Sequence, residues 1–108
     1  MEASDYGVIM TTTDSKENAD LMTQRLLEKK LVACVQSTTI QSAYHWQGEI
    51  IHSEEIRLEM KTKRSLFEKV QSEIKHLHAY DLPEIIMVPM TGANPLYLQW
   101  IEEETINP

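Results

Sequence analysis

The sequence has one cysteine, Cys34, in 108 residues. A single thiol cannot close an internal disulfide, so this is not a small secreted domain held by a cysteine framework, and a reducing compartment suits it. The same scarcity excludes an iron–sulfur ferredoxin and a two-cysteine copper-carrier loop. Basic residues are also short: 10 Lys and Arg stand against 17 Asp and Glu, a formal net charge of -7. A chain that neutralises phosphates carries a basic face, and none is visible here, so nucleic acid is not an expected partner. No apolar run approaches the roughly 20 residues of a membrane-spanning helix. Met1 to Gly7 is short and acidic, unlike the basic and then apolar start of a signal peptide. The expectation is a cytoplasmic protein with no membrane partner.

What is present is a hydrophobic fraction of 42% spread along the chain without repeats or low-complexity tracts, which reads as one domain over residues 1–108. Tyr6 to Met10 reads as a strand that ends in Thr11, Thr12, Thr13 and Asp14. From Ser15, Ala19, Met22, Leu26 and Leu27 recur at helical spacing, with Asp14 and Glu17 placed for a capping box and Lys29 and Lys30 at the C-terminal end. A long extended segment begins at Leu31 and alternates Ile40, Ser42, Tyr44 and Trp46 against Gln41, Ala43, His45 and Gln47. Gln47, Gly48 and Glu49 make a hairpin turn, and Ile50 to Thr62 returns as a third strand with Ile56, Leu58 and Met60 on one face. A second helix, capped by Thr62 or Ser65, carries Phe67, Val70, Ile74 and Leu77 and ends near His78. Glu84 to Met90 supplies a fourth strand, and Asn94 before Pro95 starts a short third helix with Leu98, Trp100 and Ile101.

This order is βαββαβ plus a C-terminal helix: an α+β, ferredoxin-like antiparallel sheet with two helices on one face. The usual topology puts the fourth strand at an edge, which suits Pro89. The second and third strands far exceed the roughly 5 or 6 residues of an average strand. Their hairpin must project, and a bare edge bearing Ile40, Tyr44 and Trp46 would aggregate, so these residues are expected at a homo-oligomer interface.

Cys34, His45, His52, His76 and His78 are the soft or borderline metal ligands available, but no CxxC, HExxH or zinc-finger spacing joins them. Taken alone, Cys34 reads as a small buried hydrophobe on the second strand. His45 and His52 flank the hairpin tip, His76 falls on the polar face of its helix, and His78 closes that helix before a loop. Trp46, Tyr80, Tyr97 and Trp100 read as interface or core anchors. Glu54, Glu55, Glu59 and Lys61 read as a solvated strand face with ion pairs. No nucleophile and base form a pair, so an enzyme is not expected.

Several segments together carry a resemblance: Leu31-Val32-Ala33-Cys34-Val35, Tyr44-His45-Trp46-Gln47-Gly48-Glu49-Ile50, Met60-Lys61-Thr62, His78-Ala79-Tyr80-Asp81-Leu82-Pro83-Glu84-Ile85 and Tyr97-Leu98-Gln99-Trp100-Ile101. In order and spacing the chain resembles the CutA divalent-cation tolerance family. The resemblance implies a PII-like homotrimer with long hairpins in intersubunit sheets, and binding of copper or another divalent cation. By position it implies Cys34 and His78 as metal ligands, and Lys61, Tyr80 and Glu84 near the subunit clefts. A PII-like regulator holding a small anionic metabolite in that cleft is the alternative expectation. Two positions depart from the family pattern. Ala79 stands where proline usually follows the histidine, and Met10 stands where some members have a second cysteine, leaving a thioether that prefers Cu(I).

Overall fold

In a computed structural model of residues 1–108, the chain forms β1 (Tyr6–Thr13), α1 (Lys16–Glu28), β2 (Cys34–Trp46), β3 (Glu49–Lys63), α2 (Phe67–Leu77), β4 (Ile86–Pro89) and α3 (Pro95–Glu104). Single 3-10 turns occupy Ala3–Asp5 and Arg64–Leu66. The strands pair antiparallel in the order β2-β3-β1-β4, the expected ferredoxin-like arrangement, with Pro89 on an edge strand.

Strand register sorts the side chains. Ile9 opposes Met60, Thr11 opposes Leu58 and Thr13 opposes Ile56. Side chains alternate along a strand, so these six lie on one face, and α1 and α2 cover it. Met22, Leu26, Leu66, Val70 and Ile74 join Ile9, Leu58 and Met60 there in one fully buried core. The other face carries Val8, Met10 and Thr12 from β1 beside Lys61, Glu59 and Arg57 from β3. Near one end α3 packs on Tyr6 through Leu98 and Ile101, a smaller second core. The rest of that face has no helix over it.

Several boundaries differ from the sequence expectation, each for a local reason. β1 runs on to Thr13 because Thr11, Thr12 and Thr13 keep partners on β3. Helix α1 therefore starts later, and its cap is Ser15, whose hydroxyl accepts the Asn18 N–H at 3.1 Å, rather than Asp14 with Glu17. Leu31 to Ala33 is not strand, since the Leu31 N–H returns to the Leu26 carbonyl and closes α1. Neither Thr62 nor Ser65 caps α2: the Thr62 hydroxyl donates to the Leu31 carbonyl at 2.6 Å, and Ser65 lies inside the 3-10 turn. Strand β4 is shorter than expected, leaving Glu84 and Ile85 in the loop before it.

The β2–β3 hairpin has strands of 13 and 15 residues and stretches the molecule to 45 × 26 × 21 Å. Its turn has positive φ at both central residues, 50° at Gln47 and 81° at Gly48, the pattern that matches strand twist in a two-residue hairpin loop.

Candidate functional site

The uncovered face holds a groove of about 840 Å³ between the hairpin and the loop after α2. Register puts its floor together: Thr12 opposes Arg57, Arg57 opposes Thr38, and Glu55 opposes Ile40. Ile40, Tyr44 and Trp46 form one wall, while Tyr80, Asp81 and Glu84 form the other.

Glu55 is only 5% exposed, which corrects its reading as part of a solvated strand face. A buried carboxylate needs partners, and the Tyr80 hydroxyl donates to Glu55 Oε2 at 2.7 Å. Burial and that carboxylate push the Tyr80 hydroxyl above its ordinary pKa, so it stays a donor. Arg57 lies beside this pair. Its Nε is buried and makes no hydrogen bond, and its guanidinium has no ion-pair partner. The groove thus sets one cation, Arg57, among the carboxylates of Asp14, Glu55, Asp81 and Glu84.

The loop that carries Tyr80 is tied to β1 and α1 by side chains. Asn18 donates to the Leu77 carbonyl at 2.9 Å, accepts the Ala79 N–H at 3.1 Å and accepts the Thr13 hydroxyl at 3.0 Å. His78 Nε2 lies 2.9 Å from the Thr12 carbonyl, and Nδ1 accepts the Tyr80 N–H at 3.0 Å. A carbonyl only accepts, so Nε2 carries the proton and the ring is neutral. Burial lowers the His78 pKa, partly offset by the Thr12 carbonyl and by the charges of Glu55 and Asp14.

Of the residues singled out in the sequence, Tyr80, Glu84, Ile40, Tyr44 and Trp46 meet around the groove. Lys61 does not: its ammonium bonds to Gln36 Oε1, and it opposes Cys34 at the start of β2. Cys34 is half-buried rather than buried, with its sulfur 3.8 Å from the Tyr97 hydroxyl, and Tyr97 stacks on Trp100 at 5.5 Å. Cys34 and His78 are not brought together within the chain. Cys34 opposes Lys61, which opposes Val8, whereas His78 binds at Thr12, four residues and roughly 13 Å further along β1. His45, His52 and His76 are exposed. Sequence reasoning missed Arg57, Asp14 and Asn18. The signal for Arg57 was its parity with Glu55, which puts it on the face of Ile40 and Tyr44.

A four-stranded sheet with two helices behind it and a charged, open groove in front defines a ferredoxin-like protein built around the uncovered face of its sheet. The chain belongs to the CutA1 divalent ion tolerance protein family, whose model matches residues 7–104. It is 37% identical over 99 residues to the divalent-cation tolerance protein CutA of Thermus thermophilus, covering 91% of this chain and 96% of that one. Among solved structures it is similar to CutA1 from Pyrococcus horikoshii, with TM-score 0.90 and 33% identity over 94% of this chain and 99% of the other. CutA1 from Oryza sativa superposes with TM-score 0.92 at 33% identity, covering 95% of each chain.

Proposed function

We propose that this divalent-cation tolerance protein works as a homotrimer whose groove takes a small ligand bearing both a hydrogen-bond acceptor and a cationic or N–H donor group. The observation that carries the ligand reading is Arg57. A buried guanidinium N–H without a partner costs about 1–3 kcal/mol, and an acceptor on a ligand would recover it. Around that group, the Glu55–Tyr80 pair and the carboxylates of Asp14, Asp81 and Glu84 favour an amine or another cation. The anionic metabolite suggested by Lys61 is less well matched, because Lys61 is spent on Gln36 outside the groove. Tyr80 and Glu84 stay as ligand contacts.

Thermal-shift screening of the metal-free protein against amino acids and other small zwitterions tests this reading beside Arg57→Leu. A ligand that raises Tm in the parent and not in the variant is expected. No stabilising ligand, or equal stabilisation of both proteins, would overturn it.

The trimer is supported by the long free edge of β2 and by apolar side chains around the groove, with Tyr44 and Trp46 40% and 48% exposed in the single subunit. Direct binding of copper or another divalent cation is a second reading, favoured by the half-buried thiol of Cys34 beside Tyr97. Titration with Cu(II), anaerobic Cu(I) and Zn(II) against a competing chelator checks it: tight binding lost in Cys34→Ser supports it, and binding indifferent to that change removes it.

A further inference from the structure

We propose that His78 is a positioning residue of the groove: its neutral imidazole bridges the Thr12 carbonyl and the Tyr80 N–H and so sets the Tyr80 hydroxyl on Glu55. The proposal rests on the ligand reading above only in taking Tyr80 as a ligand contact.

The geometry leaves little freedom for another role. The loop after α2 is short of regular structure, and its backbone polar groups need partners. Asn18 serves the Leu77 carbonyl and the Ala79 N–H, and His78 serves the Tyr80 N–H. The second ring nitrogen anchors the assembly to β1 at Thr12, one of the groove residues. The imidazole and phenol rings lie 4.9 Å apart at 48°, so the side chain of Tyr80 is oriented as well as its backbone. Tyr80 then reaches Glu55, which otherwise would be a buried carboxylate without its phenol donor. With both ring nitrogens in use, a metal ion could bind His78 only by breaking one of these bonds. Ligation at Nδ1 would release the Tyr80 N–H, and ligation at Nε2 would break the direct bond to Thr12.

The test is NMR on the full chain without added ligand, so it reads positioning whether or not a groove ligand is ever found. In the parent protein the His78 nitrogens should show the Nε2–H tautomer, and one equivalent of Zn(II) should leave them unmoved. In His78→Phe, which keeps a ring and removes both nitrogens, amide exchange at Tyr80 should accelerate by about tenfold or more, the size of one lost hydrogen bond. The Ala79 amide, held by Asn18, should keep its protection, which separates a local effect from general destabilisation. The Glu55 carboxyl resonance should shift as the Tyr80 hydroxyl leaves it. His78→Asn puts an amide oxygen near the position of Nδ1 and should restore most of the Tyr80 protection. The proposal is overturned by a Zn(II)-induced shift of the His78 nitrogens, by the other tautomer in the parent, or by Tyr80 protection equal in the parent and in His78→Phe. If His78→Phe does not fold, the tautomer and Zn(II) measurements on the parent decide alone.

Discussion

Tyr6, Glu102 and Lys63 show what single residues do in this fold. Lys63 is 5% exposed at the end of β3, and its ammonium reaches the carbonyls of Thr105 and Ile106 at 3.2 and 2.9 Å and Glu102 at 3.0 Å. The Tyr6 hydroxyl donates to the other Glu102 oxygen at 2.6 Å. Together they pin α3 and the chain end to the sheet. Lys63→Met is expected to cost about 1–3 kcal/mol in urea denaturation, because it strands two carbonyls while Glu102 keeps some access to water. The network also sets a pH dependence. Burial, then the bond to Glu102, pushes the Tyr6 hydroxyl from 10.0 up to about 12. The stability this gives is complete below the ordinary value and is lost as pH rises through the folded one. The stability difference between the parent and Tyr6→Phe should therefore shrink between pH 10.0 and 12, and a constant difference would remove Tyr6 as its source. Glu102 behaves oppositely: its bonds to Tyr6 and Lys63 hold its carboxyl below the usual range, so its contribution is present above that range and goes as pH falls. None of this was legible in the sequence. Lys63 lay just past the residues assigned to the third strand, and Glu55 read as a solvated charge, because alternation along a strand tells which face a residue shares and not what covers that face.

At the scale of elements the sequence was more informative, and its errors concentrated at ends. Helical spacing located α1 and α2, and strand alternation located β2 and β3 with the right residues on each face. Caps were harder, because Asp14, Ser15, Thr62 and Ser65 can all cap, and tertiary partners decide which of them does. The C-terminal end of α1 is an instance. Lys30 N–H returns to the Leu27 carbonyl and Leu31 N–H to the Leu26 carbonyl, while Lys30 takes the left-handed conformation at φ 54°. Glycine favours that position, and the only side-chain partner of Lys30 is an exposed ion pair with Glu104 at 3.8 Å. Lys30→Gly is expected to stabilise the protein by roughly 0.5–1 kcal/mol, read as a rise in the urea midpoint without a change of slope. Gly7 gives the reverse case. A Cβ there would lie 2.7 Å from the Val88 carbonyl oxygen on the neighbouring strand, a backbone atom that cannot swing aside. Gly7→Ala should lower the midpoint by separating β1 from β4.

For the whole molecule, the order of elements set the topology, and the excess length of one hairpin is the feature behind the proposed trimer. The two sheet edges differ in a way that bears on assembly. β4 is four residues long and carries Pro89, which blunts it, whereas β2 offers thirteen residues of free edge. Ile40, Tyr44 and Trp46 stand on that edge and also wall the groove, so association through β2 would bring a second chain to the rim of the groove. On the proposed function, assembly and binding would be coupled, since whatever binds the assembled groove stabilises the oligomer by mass action. Sedimentation velocity should show the parent at three times the chain mass. The double variant Ile40→Lys, Trp46→Lys should sediment as a monomer with its far-ultraviolet circular dichroism intact, because neither side chain belongs to the buried core. The same variant should lose Tm stabilisation by any small zwitterion that stabilises the parent. A variant that stays trimeric would move the interface away from β2, and a monomeric variant that still responds to the ligand would mean that one subunit completes the groove.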